Sequence, residues 1–318
     1  MGITVADADT VRQLLTMPAC IGVLDTAMRA VSRGDVSAPP RLFAPLYDDS
    51  GTLGLMPGSA KGLDVYGAKI ISLHPDNPAK GLPAIQGFVA LFDFDNGELV
   101  GLIDGASVTA IRTAAASGLA TRELSRAEAC THGIFGTGVQ AATHIDAIAA
   151  VRQIEQVVVW GRDEARTRAF CEKHAERTGL DVVAGVHASE AAACDIVSTA
   201  TSSFEPVLEG DWVQPGAHVN LVGAHQADTR ESDTALIKKA RVYVDLLESA
   251  LNEAGDLLIP LNSGDIDKDH ILGEIGGVLN GTVAGRTDDE AITLYKSLGI
   301  VGQDLFAADY VLNRLRSG

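Results

Sequence analysis

Between Ala127 and Asp245 the chain repeats one pattern: a short, almost continuous apolar run, a helix-like stretch, then another apolar run. The runs are "THGIFG", "VVVWG", "DIVSTA", "HVNLVGA" and "RVYVDL". A strand wetted on one face alternates apolar and polar residues. Strands that do not alternate are covered on both faces, the condition of a parallel sheet flanked by helices. No other feature restricts the fold as much. It predicts an α/β chain built on a doubly wound, Rossmann-type parallel sheet.

The first of these strands runs into "GIFGTGVQA" (Gly133–Ala141), which opens the following helix. Gly136, Gly138 and Ala141 fit a dinucleotide-binding turn of the form G-x-G-x-x-A. The glycines permit a tight turn and a close approach of backbone to pyrophosphate. The helix N-terminus meets that anion with unpaired N–H groups and the positive end of its dipole. Such a turn alone is weak evidence, but a strand before it, a helix after it and a second strand about twenty residues on make it specific.

That second strand ends in Gly161 and Arg162, at a place where an acid usually accepts hydrogen bonds from the adenosine ribose. Gly161 removes a carboxylate that would repel a 2′-phosphate, and Arg162 and Arg166 carry the charge to bind one. NADP(H) is therefore expected in preference to NAD(H). The other reading makes both arginines solvated residues of the next helix, paired with Asp163 and Glu164.

Residues before about 105 follow an α+β rhythm: a helix over Asp7–Ser32, then strands joined by turns at Asp48–Leu53 and Phe94–Leu99. Asn96-Gly97 suits a type I′ hairpin turn, so this sheet is expected to be antiparallel. The stretch "DGASVTAIRTAAASGLATREL" reads as an alanine-rich helix capped by Asp104 or Ser107, with Arg112 in its middle. The tail "EAITLYKSLGIVGQDLFAADYVLNRL" reads as helix broken near Gly299 and Gly302.

With 25 Lys and Arg against 42 Asp and Glu, the chain carries a formal charge of −17. That field repels phosphate backbones and anionic lipid, which argues against nucleic-acid or membrane-surface partners. Any anionic ligand has to be caught by locally placed cations. The N-terminus has neither a basic region nor a long apolar core, and no apolar run reaches the ~18–20 residues that span a bilayer. A cytoplasmic protein with reduced thiols is expected, since its four cysteines show no paired spacing. Cys171 and His174 form the one close Cys/His pair, without a second pair in ligand spacing, so no metal is expected.

Nearly end to end, the chain resembles the ornithine cyclodeaminase/mu-crystallin family. The residues that carry the resemblance are "GLPAIQGFVALFDFDNGELVGLIDGASVTAIRTAA", "GTGVQA", "WGR", "EPVLEGDWVQPGAHVNLVGA", "YVDLLESALNEAGDLL" and "YKSLG". The resemblance implies a homodimer. Residues 1–120 with 300–318 would bind substrate and pair the subunits, and residues 121–299 would form the NADP-binding Rossmann domain. It implies hydride transfer at the carbon next to a carboxylate, in one of several branches: cyclodeamination, alanine dehydrogenation or reduction of cyclic ketimines.

By the same resemblance Arg41, Lys69 and Arg112 bind the substrate carboxylate, with Arg112 also placed to serve the cofactor. Cofactor contacts are implied for Gly138, Val139 and Gln140, for Thr201, Ser202 and Val222, and for Ser297 and Leu298 beside the nicotinamide. The alternative for Thr201 and Ser202 is that they simply cap a turn. His225 stands where cyclodeaminases and alanine dehydrogenase have an Asp, and is either a proton donor or a wall of the pocket. Glu248 matches a pocket glutamate that could stabilise an iminium, the alternative being a helix-surface residue. Lys69, His225 and Glu248 are thus the catalytic candidates. Asp228 is out of register with the family acid, and Ile85 replaces a mu-crystallin histidine, so identical substrate scope is not implied.

The combined expectation is an NADPH-dependent reductase converting Δ1-pyrroline-2-carboxylate to L-proline, with the piperideine homologue second. The alternatives are an ornithine cyclodeaminase or alanine-type dehydrogenase, and a non-catalytic NADPH-dependent binding protein.

Overall fold

The computed structural model describes residues 2–317 and divides into two compact units, Met1–Arg112 with Gly299–Gly318, and Thr113–Leu298. The first holds β1 (Thr4–Ala6), α1 (Ala8–Leu14), α2 (Met17–Ser32), β2 (Val36–Ser37), β3 (Leu42–Pro45), β4 (Thr52–Ala60), β5 (Val65–Leu73), β6 (Ile85–Asp93) and β7 (Leu99–Asp104). Helix α3 (Gly105–Leu124) follows, capped by Asp104, and the division between the units falls within it.

The sheet of this unit has the order β1-β7-β6-β5-β4-β2, with β3 also on β4. Apart from the parallel β1–β7 pair it is antiparallel. Met56, Lys69, Val89 and Ile103 stand opposite one another across β4 to β7, and all four are buried. A lysine therefore sits in the middle of the apolar row of the sheet. On the other face Leu55, Ile70 and Phe88 form a row that stays partly exposed.

The second unit contains β8 (Thr131–Phe135), α4 (Val139–Ala149), β9 (Gln156–Trp160), α5 (Glu164–Thr178), β10 (Asp181–Ala184), α6 (Ala188–Ala192), β11 (Ile196–Thr199), β12 (His218–Leu221) and α7 (Thr234–Lys239). It continues with β13 (Arg241–Val244), α8 (Leu247–Glu253), α9 (Gly255–Asn262), β14 (Ile271–Glu274), α10 (Ile275–Leu279) and β15 (Thr293–Lys296). All its strand pairs are parallel, in the order β10-β9-β8-β11-β12-β15-β13-β14. The chain winds one way from β8 to β10 and the other way from β11, so a topological switch point lies between β8 and β11. Ligands of open α/β sheets bind beyond the strand ends at such a point. Helix α11 (Val301–Ser317) closes the chain in the first unit.

Three local expectations need correction. The first helix is two helices, bent by 81° at Leu15–Thr16. Pro18 lacks the N–H that would continue the first helix but is tolerated in the opening turn of a new one. The turn at Asn96-Gly97 is not type I′, because only Gly97 has positive φ (+75°). Asp93 Oδ1 accepts from the backbone N–H groups of Asp95 and Asn96 and makes a longer loop.

The tail differs as well. Thr293–Lys296 is not helix but the strand β15, wholly buried between β12 and β13. The helix starts at Val301, so Gly302 lies inside it and only Gly299 (φ +77°) marks the break. Among the described residues no single helix is long and apolar enough to cross a bilayer.

Candidate active site

In the first unit, Lys69 of β5 and Arg112 of α3 converge on one carboxylate, Asp304 of α11. Arg112 Nε donates to Asp304 Oδ1 at 2.9 Å, and Lys69 Nζ lies 2.9 Å from Asp304 Oδ2. Arg112 Nη1 also donates to Gln303 Oε1 at 2.8 Å. Asp304 is fully buried, and Lys69 and Arg112 are 1% and 5% exposed. Gly299 makes room for the guanidinium: a Cβ there would come within 2.3 Å of Arg112 Nη1.

Two buried cations thus face one buried anion. Burial of unbalanced charge is costly, so the cluster favours a further anion. Among the described residues Arg112 Nη2 takes no side-chain partner, which leaves it as a donor for that anion. Arg41, in the segment leading into β3, is half-buried with its guanidinium 5.9 Å from the Phe43 ring. Burial pushes the Lys69 ammonium down to about 8, opposed by Asp304 and aided by the positive charges of Arg112 and Arg41. One helical turn before Arg112, the buried Thr109 hydroxyl has no hydrogen-bond partner among the described residues.

In the second unit the glycine turn lies at the C-terminal end of β8, beside the switch point. Gly136 has φ +114°, and a Cβ on it would come within 2.6 Å of Ala200 O. Gly138 is the N-cap of α4 without a side-chain cap, and a Cβ there would meet no protein atom within 4 Å. The chain's own packing therefore explains Gly136, while Gly138 leaves an open approach to the α4 N-terminus. Val139 is exposed, and Gln140 Oε1 and Ser297 Oγ are buried without partners among the described residues. This open helix end, with the Gln140 side-chain oxygen left unsatisfied among the described residues in its first turn, fits the pyrophosphate of a nicotinamide dinucleotide.

Gly136→Ala should remove nucleotide binding and lower stability by about 2 kcal/mol or more, since alanine is strained at this φ and its methyl meets a carbonyl oxygen. Fluorescence titration with nucleotide and a thermal melt would read both effects. Unchanged affinity would mean that this turn does not hold the nucleotide.

Beyond Gly161, Arg162 and Arg166 are exposed and have no carboxylate partner among the described residues. Asp163 instead caps α5 by accepting from the Arg166 backbone N–H, and Glu164 pairs with Arg168. The surface pairing of Arg162 and Arg166 with these two acids is therefore not formed. Gly161 also has a packing reason, because a Cβ there would lie 2.7 Å from Thr167 Oγ1.

The loops after β11 and β12 are tied together by Glu231, which is fully buried. It accepts from Thr199 Oγ1, from Thr201 N and Oγ1 at 2.7 Å each, and from Gly223 N at 2.5 Å. The Thr201 hydroxyl is thus committed within the protein, whereas Ser202 is exposed and Val222 half-buried. Lys296 donates to Ala224 O at 2.6 Å and to Asp256 Oδ2 at 2.9 Å, which anchors the start of the loop that carries His225. His225 is exposed, with Nδ1 3.0 Å from Gly223 O, a contact that places the proton on Nδ1 in the neutral ring. Glu248, in the first turn of α8, is exposed. Asp245 holds the N–H of Leu246, just before α8, and that of Leu298, just after Ser297.

The sequence model of the ornithine cyclodeaminase/mu-crystallin family matches residues 3–318. Δ1-Pyrroline-2-carboxylate reductase of Bacillus cereus is 35% identical over 312 residues, covering 98% of this chain and 96% of that one. The chain belongs to this family. Its relatives include the ketimine reductase mu-crystallin of Rattus norvegicus, 36% identical over 299 residues and covering 93% and 91% of the two chains. The structure of Δ1-pyrroline-2-carboxylate reductase of Thermococcus litoralis with NADH and L-proline superposes with a TM-score of 0.95. It is 32% identical and covers 99% of this chain and 98% of that one.

Within the family frame, the structure brings Lys69 and Arg112 together on one anion. It gathers Gly136, Gly138, Val139 and Gln140 at one helix end, with Arg162 and Arg166 past the neighbouring strand. Asp304, Gln303, Glu231, Asp245 and Asp256 were missed. A signal for the first two was present: Gln303-Asp304 interrupts the otherwise apolar run Val301–Ala308. His174 packs its ring on Phe170, centroids 4.3 Å apart, and meets Arg177 Nε at 3.0 Å.

Proposed function

We propose that this family member is an oxidoreductase that reduces cyclic ketimine carboxylates with NADPH, Δ1-pyrroline-2-carboxylate to L-proline first and Δ1-piperideine-2-carboxylate to L-pipecolate second. The observation that carries the reading is the charge deficit of the clamp: Lys69 and Arg112, both buried, share the single carboxylate of Asp304. A substrate carboxylate supplies the missing charge, taking Arg112 Nη2 and the Lys69 ammonium, with Arg41 as a third cation.

Bound carboxylate fixes the adjacent imine carbon, and the reduced nicotinamide supplies the hydride that this carbon takes. The imine nitrogen has to be protonated as it becomes an amine. Lys69, titrating near 8, is charged at neutral pH and close enough to its midpoint to release a proton. His225 is the second candidate donor, through Nε2, since Nδ1 is engaged at Gly223 O. Its imidazole in place of the acid of the amino-acid-oxidising branches supports reduction over cyclodeamination. Glu248 is read as electrostatic support for the iminium.

In the nucleotide site, Gln140 and Ser297 hold polar atoms without partners among the described residues, and Thr201, Ser202 and Val222 follow the neighbouring strand ends. The preference for NADPH rests on Arg162 and Arg166, which follow a glycine and lack carboxylate partners among the described residues. We read the enzyme as a cytoplasmic homodimer. The partly exposed row Leu55, Ile70 and Phe88 supports pairing through the first unit's sheet, and sedimentation should give twice the chain mass.

Initial rates with Δ1-pyrroline-2-carboxylate test the cofactor reading. Wild type should prefer NADPH, and replacing Arg162 and Arg166 together by alanine should raise KM for NADPH about thirtyfold or more while leaving NADH kinetics within a few-fold. Equal use of both nucleotides by wild type would mark the arginines as surface charges. Ammonia release from ornithine with oxidised nucleotide would overturn the reductase reading.

A further inference from the structure

Gln303 and Asp304 are adjacent on α11, in the buried and otherwise apolar stretch Val301–Ala308. Uncompensated polar groups in such a place are costly, so what they touch explains why they are there. Asp304 divides its carboxylate: Oδ1 takes Arg112 Nε and Oδ2 faces Lys69 Nζ, both at 2.9 Å. Gln303 divides its amide, with Oε1 accepting from Arg112 Nη1 at 2.8 Å and Nε2 donating to Met28 Sδ at 3.5 Å. Two hydrogen bonds from one helix therefore fix the guanidinium plane, and an ion pair from the same carboxylate, without hydrogen-bond geometry, keeps the end of a flexible lysine beside it. Gly299 supports the same arrangement, since any side chain there would displace Arg112.

We infer that Gln303 and Asp304 are positioning residues for the reaction, orienting Arg112 and holding Lys69 beside it so that both cations face one substrate carboxylate. The inference rests on reading the clamp as the substrate site. A structural counter-ion alone would need only Asp304. It would not need Gln303 spent on a second guanidinium nitrogen, or a carboxylate split between two cations from different elements. The charged groups facing Lys69 are Asp304 from α11, Arg112 from α3 and Arg41 from the segment before β3, so Asp304 is its one anionic neighbour among them. Its removal leaves Lys69 among positive charges and favours the neutral amine.

The test compares wild type, Asp304→Asn and Gln303→Met, with nucleotide affinity as a check that each is folded. NMR titration of lysine-labelled protein, with the Lys69 signal assigned by Lys69→Arg, should place the Lys69 midpoint in Asp304→Asn about one pH unit or more below wild type. Identical midpoints would overturn the inference, and this arm needs no substrate. If Asp304→Asn does not fold, Gln303→Met decides, because it keeps every charge. Its KM for the ketimine should rise about tenfold with kcat within twofold, as loss of one charge-assisted hydrogen bond implies. Unchanged KM would overturn the inference. Lack of ketimine turnover by wild type would strike the proposed function alone, and the NMR midpoints would still decide this one.

Discussion

Replacing Arg112 by methionine should lower kcat/KM for a cyclic ketimine carboxylate about a thousandfold, within the range seen when one partner of a buried charge pair is truncated. The substitution removes Nη2, the guanidinium nitrogen that takes no side-chain partner among the described residues and that we assign to the incoming carboxylate. It also lets Asp304 pair fully with Lys69, which brings the cluster close to neutrality. The excess positive charge that we propose attracts the substrate then disappears. Folding should suffer less, since Asp304 keeps a cationic partner and methionine fills much of the arginine's volume. Steady-state kinetics beside a thermal melt would read both effects. A loss smaller than about tenfold in kcat/KM would mean that Arg112 serves Asp304 rather than substrate.

Mild acid should destabilise the second unit strongly. His132, His144 and His218 are fully buried, and burial holds them near 3, 4 and 3 against an ordinary value of 6.5. Each is neutral in the native fold: His132 meets Ser198, His144 meets Ser117 and Gln140 O, and His218 meets Thr293 and Asn220. Unfolding frees them to take up protons below 6.5. Their contribution is complete above that pH and lost progressively as pH falls from 6.5 toward the folded values. At pH 5 the loss is about 2 kcal/mol per histidine and about 6 kcal/mol for the three, much of a typical domain's stability.

The apparent Tm should therefore fall by about 10 °C or more between pH 7.5 and pH 5. Asp195, held below the usual carboxylate range despite burial by the N–H groups of Cys130 and Thr131 and by Arg126, adds to the loss only below about pH 4. Replacing His144 by glutamine should flatten the slope by about a third, because the three groups contribute similarly. A Tm that stays level to pH 5 would show that these imidazoles are not held neutral by burial.

What could be read from residues alone followed the range of the interactions involved. The turn at Gly136 is a local requirement for positive φ next to a strand and a helix, so its glycines show in the sequence. Lys69 also left a trace: Val65, Gly67, Lys69 and Ile71 share the buried face of β5, where a lysine is out of place. What it was buried against could not be read, because Asp304 lies more than two hundred residues away in the chain and no local rule connects them. The strand β15 reads as helix in the sequence for the same reason. Four residues, Thr293–Lys296, become a strand because β12 and β13 accept them on both sides, and Leu-Tyr-Lys has no strong preference by itself. The buried Glu231, which holds Thr201 and Gly223, is likewise defined by partners from two other strand ends.

The central claim is that hydride passes to the imine carbon next to a clamped carboxylate. The most direct measurement is to incubate the enzyme with Δ1-pyrroline-2-carboxylate and NADPH carrying deuterium at the transferable C4 position, and to examine the product by NMR. The expected product is L-proline with one deuterium at Cα, formed one for one with oxidised nucleotide. Proline without deuterium at Cα, or no proline while ornithine and oxidised nucleotide yield ammonia, would contradict it.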